Sequence, residues 1–313
     1  MHINVVYSYY KAYYDWAVTT CYCLRKLGIE SDIYCPNHET EGKQIENINL
    51  HHYPEADCYI ILNAREFGLY NIPWSAKKIF WCIEILDYNI ENENIQGNIE
   101  YTKNMSELCD FTIMSHALSA QSADILGIKY HGVFGMAYDE ILTKYKGKIV
   151  RDKDICFVGN ITERRKNILD IIPYDVDFEQ SFSEDLHKKL ASFNIMLNIH
   201  QYDSLGILEL YKIILAISEG ILVITEPSKS TFPLNNGEHL IFSSSAAEMT
   251  NQCIYYLIDP LGIKQRQHIT EVALNHIKVN YRMEDCLYNF ILRHLDQNFK
   301  KQIVEAEVPE VLL

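Results

Sequence analysis

Three loops in the second half of the chain carry residue types that could grip an anion. The first follows the apolar run 153–158 and reads Gly159, Asn160, then Arg164 and Arg165. Glycine lets a ligand approach the backbone, and the helix expected over 163–172 would offer free N–H groups and the positive end of its dipole. Two arginines in that first turn oppose the dipole, a cost that a bound diphosphate would offset. The second loop begins at His200, passes Asp203 and leads into a helix expected over 207–218, where Glu209 and Lys212 lie three apart on one face. The third, residues 225–240, opens with Glu226 and Pro227 and is rich in Ser, Asn and Gly. A polar loop of that length in a compact domain is more often functional than not. Each feature also has a plainer reading: solvated arginines, and an exposed salt bridge between Glu209 and Lys212.

Proton transfer calls for other residues. In the first half Glu84 and Asp87 follow the run "IFWC", and His116 follows "FTIMS". A carboxylate or imidazole at a strand end could act as general base toward a hydroxyl. The plainer readings are a turn-capping Asp87 and a His116 that merely neighbours a helix cap. His51, His52, His131 and His200 form no H-x3-H or H-E-x-x-H pattern, so they read as structural and no metal site is expected. The hydrolase pattern G-x-S-x-G and the phosphate loop G-x4-G-K-[ST] are both absent.

The elements that must hold these residues follow a regular grammar. Strands are expected at 3–8, 31–35, 56–63, 77–86, 109–115 and 129–134, with helices at 13–27 and 116–127. The pattern restarts with strands at 153–160, 193–200, 221–226 and 239–244, helices at 163–172 and 207–218, and mostly helix over 245–258 and 260–298. Strands alternating with helices predict β-α-β units and parallel sheets, in which ligands bind at the C-terminal strand ends. The expected division is 1–145, 146–285, and a terminal segment 286–313 that packs back toward the first domain.

Composition narrows the function classes. The 313 residues are 48% hydrophobic and 22% charged, which excludes disorder and coiled coil. Lys and Arg number 28 against 42 Asp and Glu, a net charge of −14. Such a chain is a poor nonspecific binder of nucleic acid or anionic membranes, though a local basic pocket for one phosphate ligand remains open. The nine cysteines lack a C-x-x-C pair and mostly sit in apolar runs, as small buried hydrophobes in a reducing compartment. "MHINVVYSYY" lacks the basic and apolar regions of a signal peptide, and no apolar run nears the roughly 18 residues of a membrane span. The expected location is cytoplasmic.

The stretches "ICFVGNITERRKNIL", "NIMLNIHQYDSLGILELYKIILAISEGILVITEPS" and "NNGEHLIFSSSAAEM" resemble the C-terminal, donor-binding domain of GT-B glycosyltransferases of the bacterial group 1 type. "LCDFTIMSHALSAQSADILGIKYHGVFGMAYDEI" resembles the end of their N-terminal domain. The resemblance covers roughly residues 105–260. It implies an α/β chain of two Rossmann-like domains facing a cleft. It further implies sugar transfer from a nucleotide-diphosphate donor to an acceptor, glycan, lipid-linked or small, with no cofactor and no essential metal. Donor-binding residues would then be Gly159, Asn160, Arg164, Arg165, His200, Asp203, Glu209, Lys212 and Glu226, and catalytic candidates Asp87, His116 and Glu84. One departure bears on the donor. Many relatives carry E-x7-E, whose second Glu contacts the nucleotide ribose; here those positions are Ile207 and Leu215. A catalytically silent nucleotide- or sugar-binding homologue is therefore the main alternative, and a nucleotide-sugar epimerase the next.

Overall fold

The computed structural model describes residues 1–7, 13–34, 55–62, 72–179, 182–202 and 206–297, and the backbone alone of 39–40 and 43–44. The chain forms two compact units: Met1–Gly135 with Met283–Leu313, and Met136–Arg282.

The first unit runs β1 (Ile3–Tyr7), α1 (Tyr14–Lys26), β2 (Ile33–Tyr34), a small antiparallel pair β3 (Glu39–Thr40) and β4 (Lys43–Gln44), then β5 (Cys58–Leu62), β6 (Lys77–Cys82), α2 (Glu93–Leu108), β7 (Phe111–Met114), α3 (Ala117–Leu126) and β8 (Gly132–Val133). Its sheet has the order β2-β1-β5-β6-β7-β8, with every pair parallel. All five residues of β1 and of β5 are buried. That explains their largely apolar sequences, broken only by the buried Asn4, since a parallel sheet is covered on both faces. Helix α2 was not expected from sequence. It is polar and interrupted by Gly97, and it buries only Ile95, Asn98, Ile99, Thr102 and Met105, at amphipathic spacing. Asn92 starts it by accepting the N–H groups of Asn94 and Ile95.

The second unit runs β9 (Lys153–Val158), α4 (Glu163–Leu169), β10 (Val176–Glu179), α5 (Ser183–Ser192), β11 (Phe193–Asn198), α6 (Leu210–Ser218), β12 (Leu222–Thr225), β13 (Ile241–Phe242), α7 (Ala246–Ile258) and α8 (Pro260–Asn280). Its five strands are all parallel, in the order β10-β9-β11-β12-β13. Ile155, Phe157, Ile195, Leu197, Leu222 and Ile224 form the centre of its core. No helix among the described residues is long and apolar enough to cross a membrane.

Helix does not continue unbroken through 260–298. It stops at Tyr281, whose backbone leaves the helical region (φ −142°, ψ 67°), and Tyr138 pairs with Arg282 as an isolated bridge. A separate helix, α9 (Met283–His294), then packs on α1 and completes the first unit. Its Phe290, 5% exposed, meets Phe111 and Phe134 with ring centroids 6.2 and 6.1 Å away. Lys26 of α1 pairs with the buried Glu284 at 3.5 Å.

Phe290→Ala is expected to destabilise the first unit by about 3–5 kcal/mol, the usual range for a buried Phe. Trp16, Trp74 and Trp81 all lie in that unit, so urea unfolding followed by tryptophan fluorescence reports on it selectively. A loss below about 1 kcal/mol would show that α9 contributes little to its core.

Candidate functional site

In the second sheet the chain leaves β9 toward β10 on one side and later leaves β11 toward β12 on the other. Such a reversal marks the C-terminal ends of β9 and β11 as the place where open parallel sheets usually bind ligands. The loop after β9 turns at Gly159 with φ +133°, a conformation suited to glycine. A Cβ there would stand 3.5 Å from Lys212 Nζ and 3.7 Å from Arg165 Nη1, so the bare backbone lies directly over two cations.

Arg165 is 3% exposed, and its guanidinium joins the loops. Nε–H donates to the Ile199 carbonyl at 2.9 Å, Nη1 to the Asn160 carbonyl at 3.0 Å, and Nη2 to Glu209 Oε1 at 3.1 Å. The side chain stacks over the Phe157 ring, 5.3 Å from its centroid. Lys212 reaches the same place from α6. It donates to the Val158 carbonyl at 3.2 Å, pairs with Glu209 Oε2 and also faces Phe157. Glu209 stands at the N-cap of α6 but makes no side-chain cap bond; its carboxylate is spent on the two cations. Burial alone would raise its pKa, but the charges of Lys212 and Arg165 outweigh that and hold it below the ordinary carboxylate value. Burial pulls the Lys212 ammonium below its ordinary value, against the opposing effect of Glu209.

Arg164 makes a second, adjoining cluster. Its Nη1 and Nη2 hold the Glu226 carboxylate at 2.9 and 2.5 Å, and Nη1 also donates to the His200 carbonyl at 2.8 Å. The His200 N–H donates to Glu226 Oε2 at 2.6 Å. The His200 ring is 3% exposed, with Nε2 3.2 Å from the Pro227 carbonyl and Nδ1 buried without a hydrogen-bond partner among the described residues. Burial pushes its pKa below the ordinary histidine value.

The structure thus brings together Gly159, Asn160, Arg164, Arg165, His200, Glu209, Lys212 and Glu226; Asp203 lies outside the described residues. The arginines are not solvated surface groups, and the Glu209–Lys212 pair is not an exposed one. Sequence reasoning overlooked Phe157, the apolar floor under both cations, and Thr162, whose hydroxyl caps α4 by accepting the Arg165 N–H. Thr162 had a visible signal, a Thr directly before the helix. It also overlooked Glu219, which is fully buried. Glu219 accepts the N–H groups of Lys144 and Tyr145 and lies 2.9 Å from His187 Nδ1. Ile207 and Leu215 are core residues, 2% and 0% exposed.

In the first unit, β6 and β7 are parallel neighbours, so Glu84 and His116 follow the same sheet edge. Glu84 accepts a hydrogen bond from the Tyr13 hydroxyl at 3.0 Å and one from the Asn98 amide at 3.3 Å. Asp87 is buried and closes a turn, its Oδ1 accepting from the Asn89 backbone at 3.0 Å and side chain at 3.2 Å. His116 is the half-buried N-cap residue of α3 and makes no side-chain cap bond. Ser119 and Ser122 of α3 accept the N–H groups of Leu86 and Tyr88 and fix the loop between.

No protein-family model and no curated protein matches the chain. Solved structures do. HepE from Anabaena, solved with UDP-glucose, has a TM-score of 0.61 at 10% identity, over 93% of this chain and 98% of that one. An alpha-glucosyltransferase solved with UDP-glucose and DNA containing an abasic site gives 0.57 at 9% identity, over 92% and 98%. A glycosyltransferase from Rickettsia africae gives 0.58 at 11% identity, over 95% and 99%. The chain has the GT-B fold of two Rossmann-like units with parallel sheets.

His200 and His239 in the second unit, and His131 in the first, are all held below the ordinary histidine pKa by burial. The unfolded chain takes up these protons near pH 6.5, while the folded chain resists until lower pH. Stability should therefore fall as pH drops below about 6.5, by at most about 1.4 kcal/mol per pH unit for each histidine. Thermal unfolding from pH 7.5 to 5 measures this, and His200→Gln should flatten the slope. An unchanged slope in that variant would remove His200 from the account.

Proposed function

We propose that this chain is a glycosyltransferase that takes a sugar from a nucleoside-diphosphate donor. The observation that carries the reading is the Arg165–Lys212 pair beneath the Gly159 turn, at the switch point of a GT-B unit. A nucleoside diphosphate leaves with growing negative charge on its bridging oxygen. Cations fixed in a low-dielectric site stabilise that charge without reorganising. In this reading Lys212 and Arg165 face the diphosphate, Arg165 also holds the two loops in register, and Arg164 adjoins them in its pairing with Glu226. The three side chains supply the positive charge, and no divalent ion is invoked. Two of the similar solved structures hold UDP-glucose, so UDP is the first nucleotide to test.

The acceptor hydroxyl needs a base if the sugar inverts. His116 is put forward for that role because it lies two residues beyond the end of β7, at the sheet edge shared with β6. A second reading, a nucleotide-binding homologue without turnover, is favoured by one observation: Ile207 and Leu215 are core residues at the positions where the family resemblance implies an acidic pair.

Titration calorimetry with UDP and GDP separates the two readings when combined with a donor-hydrolysis assay. Transferase activity requires binding together with slow release of sugar from one NDP-sugar; binding without release supports the silent homologue. Lys212→Ala should weaken nucleotide binding by on the order of 1.5–3 kcal/mol, the scale of a charge-assisted hydrogen bond. His116→Ala should lower turnover by about 10²–10⁴-fold while leaving donor affinity nearly intact. Unchanged turnover would remove His116 as the base.

A further inference from the structure

The two cations best placed to hold a diphosphate already hold an anion. Glu209 Oε1 is 3.1 Å from Arg165 Nη2, and Glu209 Oε2 pairs with Lys212 Nζ. Both cations lie within 4 Å of the position that a Cβ on Gly159 would take, so they pack against the bare face of that turn. A carboxylate bridging an arginine and a lysine under a glycine turn occupies the seat that a phosphate group would take. We infer that Glu209 is an intramolecular placeholder for the donor diphosphate, released from Arg165 and Lys212 when the donor binds. This rests on the donor-binding reading of the same site and adds how the site behaves while empty.

Two observations single out Glu209 rather than Glu226. Glu226 is held by the His200 backbone N–H at 2.6 Å as well as by both arms of Arg164, so an incoming anion would have to break a backbone bond to displace it. Glu209 is held by the two cations and does not cap its own helix. Its backbone is pinned independently. Gly206 O accepts the Lys229 N–H at 2.8 Å, and Ile207 bridges Ser230. Release is therefore a side-chain rotation and needs no movement of the segment 206–209. The chemistry is also economical. Two nearly buried cations without a counter-ion would be strongly unfavourable, and the placeholder keeps them neutralised until the ligand brings its own charge.

Glu209→Gln keeps the shape and removes the charge. UDP and inorganic pyrophosphate are titrated into the wild-type chain, Glu209→Gln and Glu226→Gln, and thermal unfolding is followed with and without pyrophosphate. The inference expects Glu209→Gln to bind both ligands on the order of tenfold more tightly, the scale of one charged contact that no longer has to be broken. It also expects a larger rise in Tm with pyrophosphate than in wild type. Glu226→Gln should show no such gain. Equal or weaker binding by a folded Glu209→Gln overturns the inference. So does an equal gain in Glu226→Gln, which would assign the effect to net charge. If Glu209→Gln unfolds without ligand, circular dichroism tests rescue by pyrophosphate, and failure of rescue also overturns it. The donor reading is judged apart. Wild type that binds UDP beside a variant that gains nothing refutes only the placeholder. Wild type that binds neither UDP nor GDP, beside a variant that gains pyrophosphate, refutes only the donor reading.

Discussion

The arrangement at the second sheet's edge depends on one buried guanidinium. A charge as enclosed as Arg165 is tolerable only when its N–H groups are satisfied and a counter-charge lies close. The Ile199 and Asn160 carbonyls, Glu209 and the face of Phe157 meet that demand. Each partner comes from a different stretch: the strand β9, the loop after it, the loop after β11, and the start of α6. Satisfying one side chain therefore fixes the mutual position of all of them. Arg164, its neighbour in sequence, extends the same logic to Glu226 at the end of β12.

Helix α6 links this edge to the opposite end of the unit. Seven of its nine residues are buried, including the continuous run Ile213–Ser218, so it is a core helix with polar groups mainly at its ends. Lys212 works at its start. At its end Glu219 accepts the N–H groups of Lys144 and Tyr145, while Arg151 donates to the Glu219 and Gly220 carbonyls at 2.8 and 2.5 Å. The helix is held axially by charged groups and laterally by apolar packing. That rigidity keeps Lys212 Nζ at the Val158 carbonyl although its stem has four rotatable bonds.

Much of this was legible because parallel strands buried on both faces leave continuous apolar runs, as in "ICFV" and "IML". Their order then located the crevice without any knowledge of side-chain positions. Less legible were the polar elements α2, β10 and α5: the two helices bury only one stripe each, and β10 is an edge strand with Glu179 its one buried residue. Helix α6 was expected to begin at Ile207 but begins at Leu210, because Ile207 is drawn into a bridge with Ser230. Sequence showed Glu209 and Lys212 on one helical face; the fold instead puts Glu209 at the cap, where its carboxylate can turn toward Arg165. No spacing rule reveals that Arg165 is interior while Arg164 is partly exposed. That difference comes from the Phe157 ring and the Ile199 carbonyl, contacts set by the sheet.

The acidity of the whole chain and the cationic character of this site are compatible for a physical reason. Surface carboxylates more than about 8 Å away are largely screened at physiological ionic strength, whereas charges in a partly buried crevice interact with little screening. The field a phosphate would meet is therefore set by the local set: Arg164, Arg165 and Lys212 against Glu209 and Glu226. That set is nearly balanced while the crevice is empty, which limits the desolvation penalty of assembling it. A site of unopposed cations would bind phosphate more strongly but would strain the fold whenever unoccupied. Placing carboxylates of the same chain against the cations sacrifices some affinity for a folded, ready state. In the donor-binding reading proposed above, it would also favour ligands that can replace a carboxylate at both Arg165 and Lys212, which a diphosphate can do and a neutral sugar cannot.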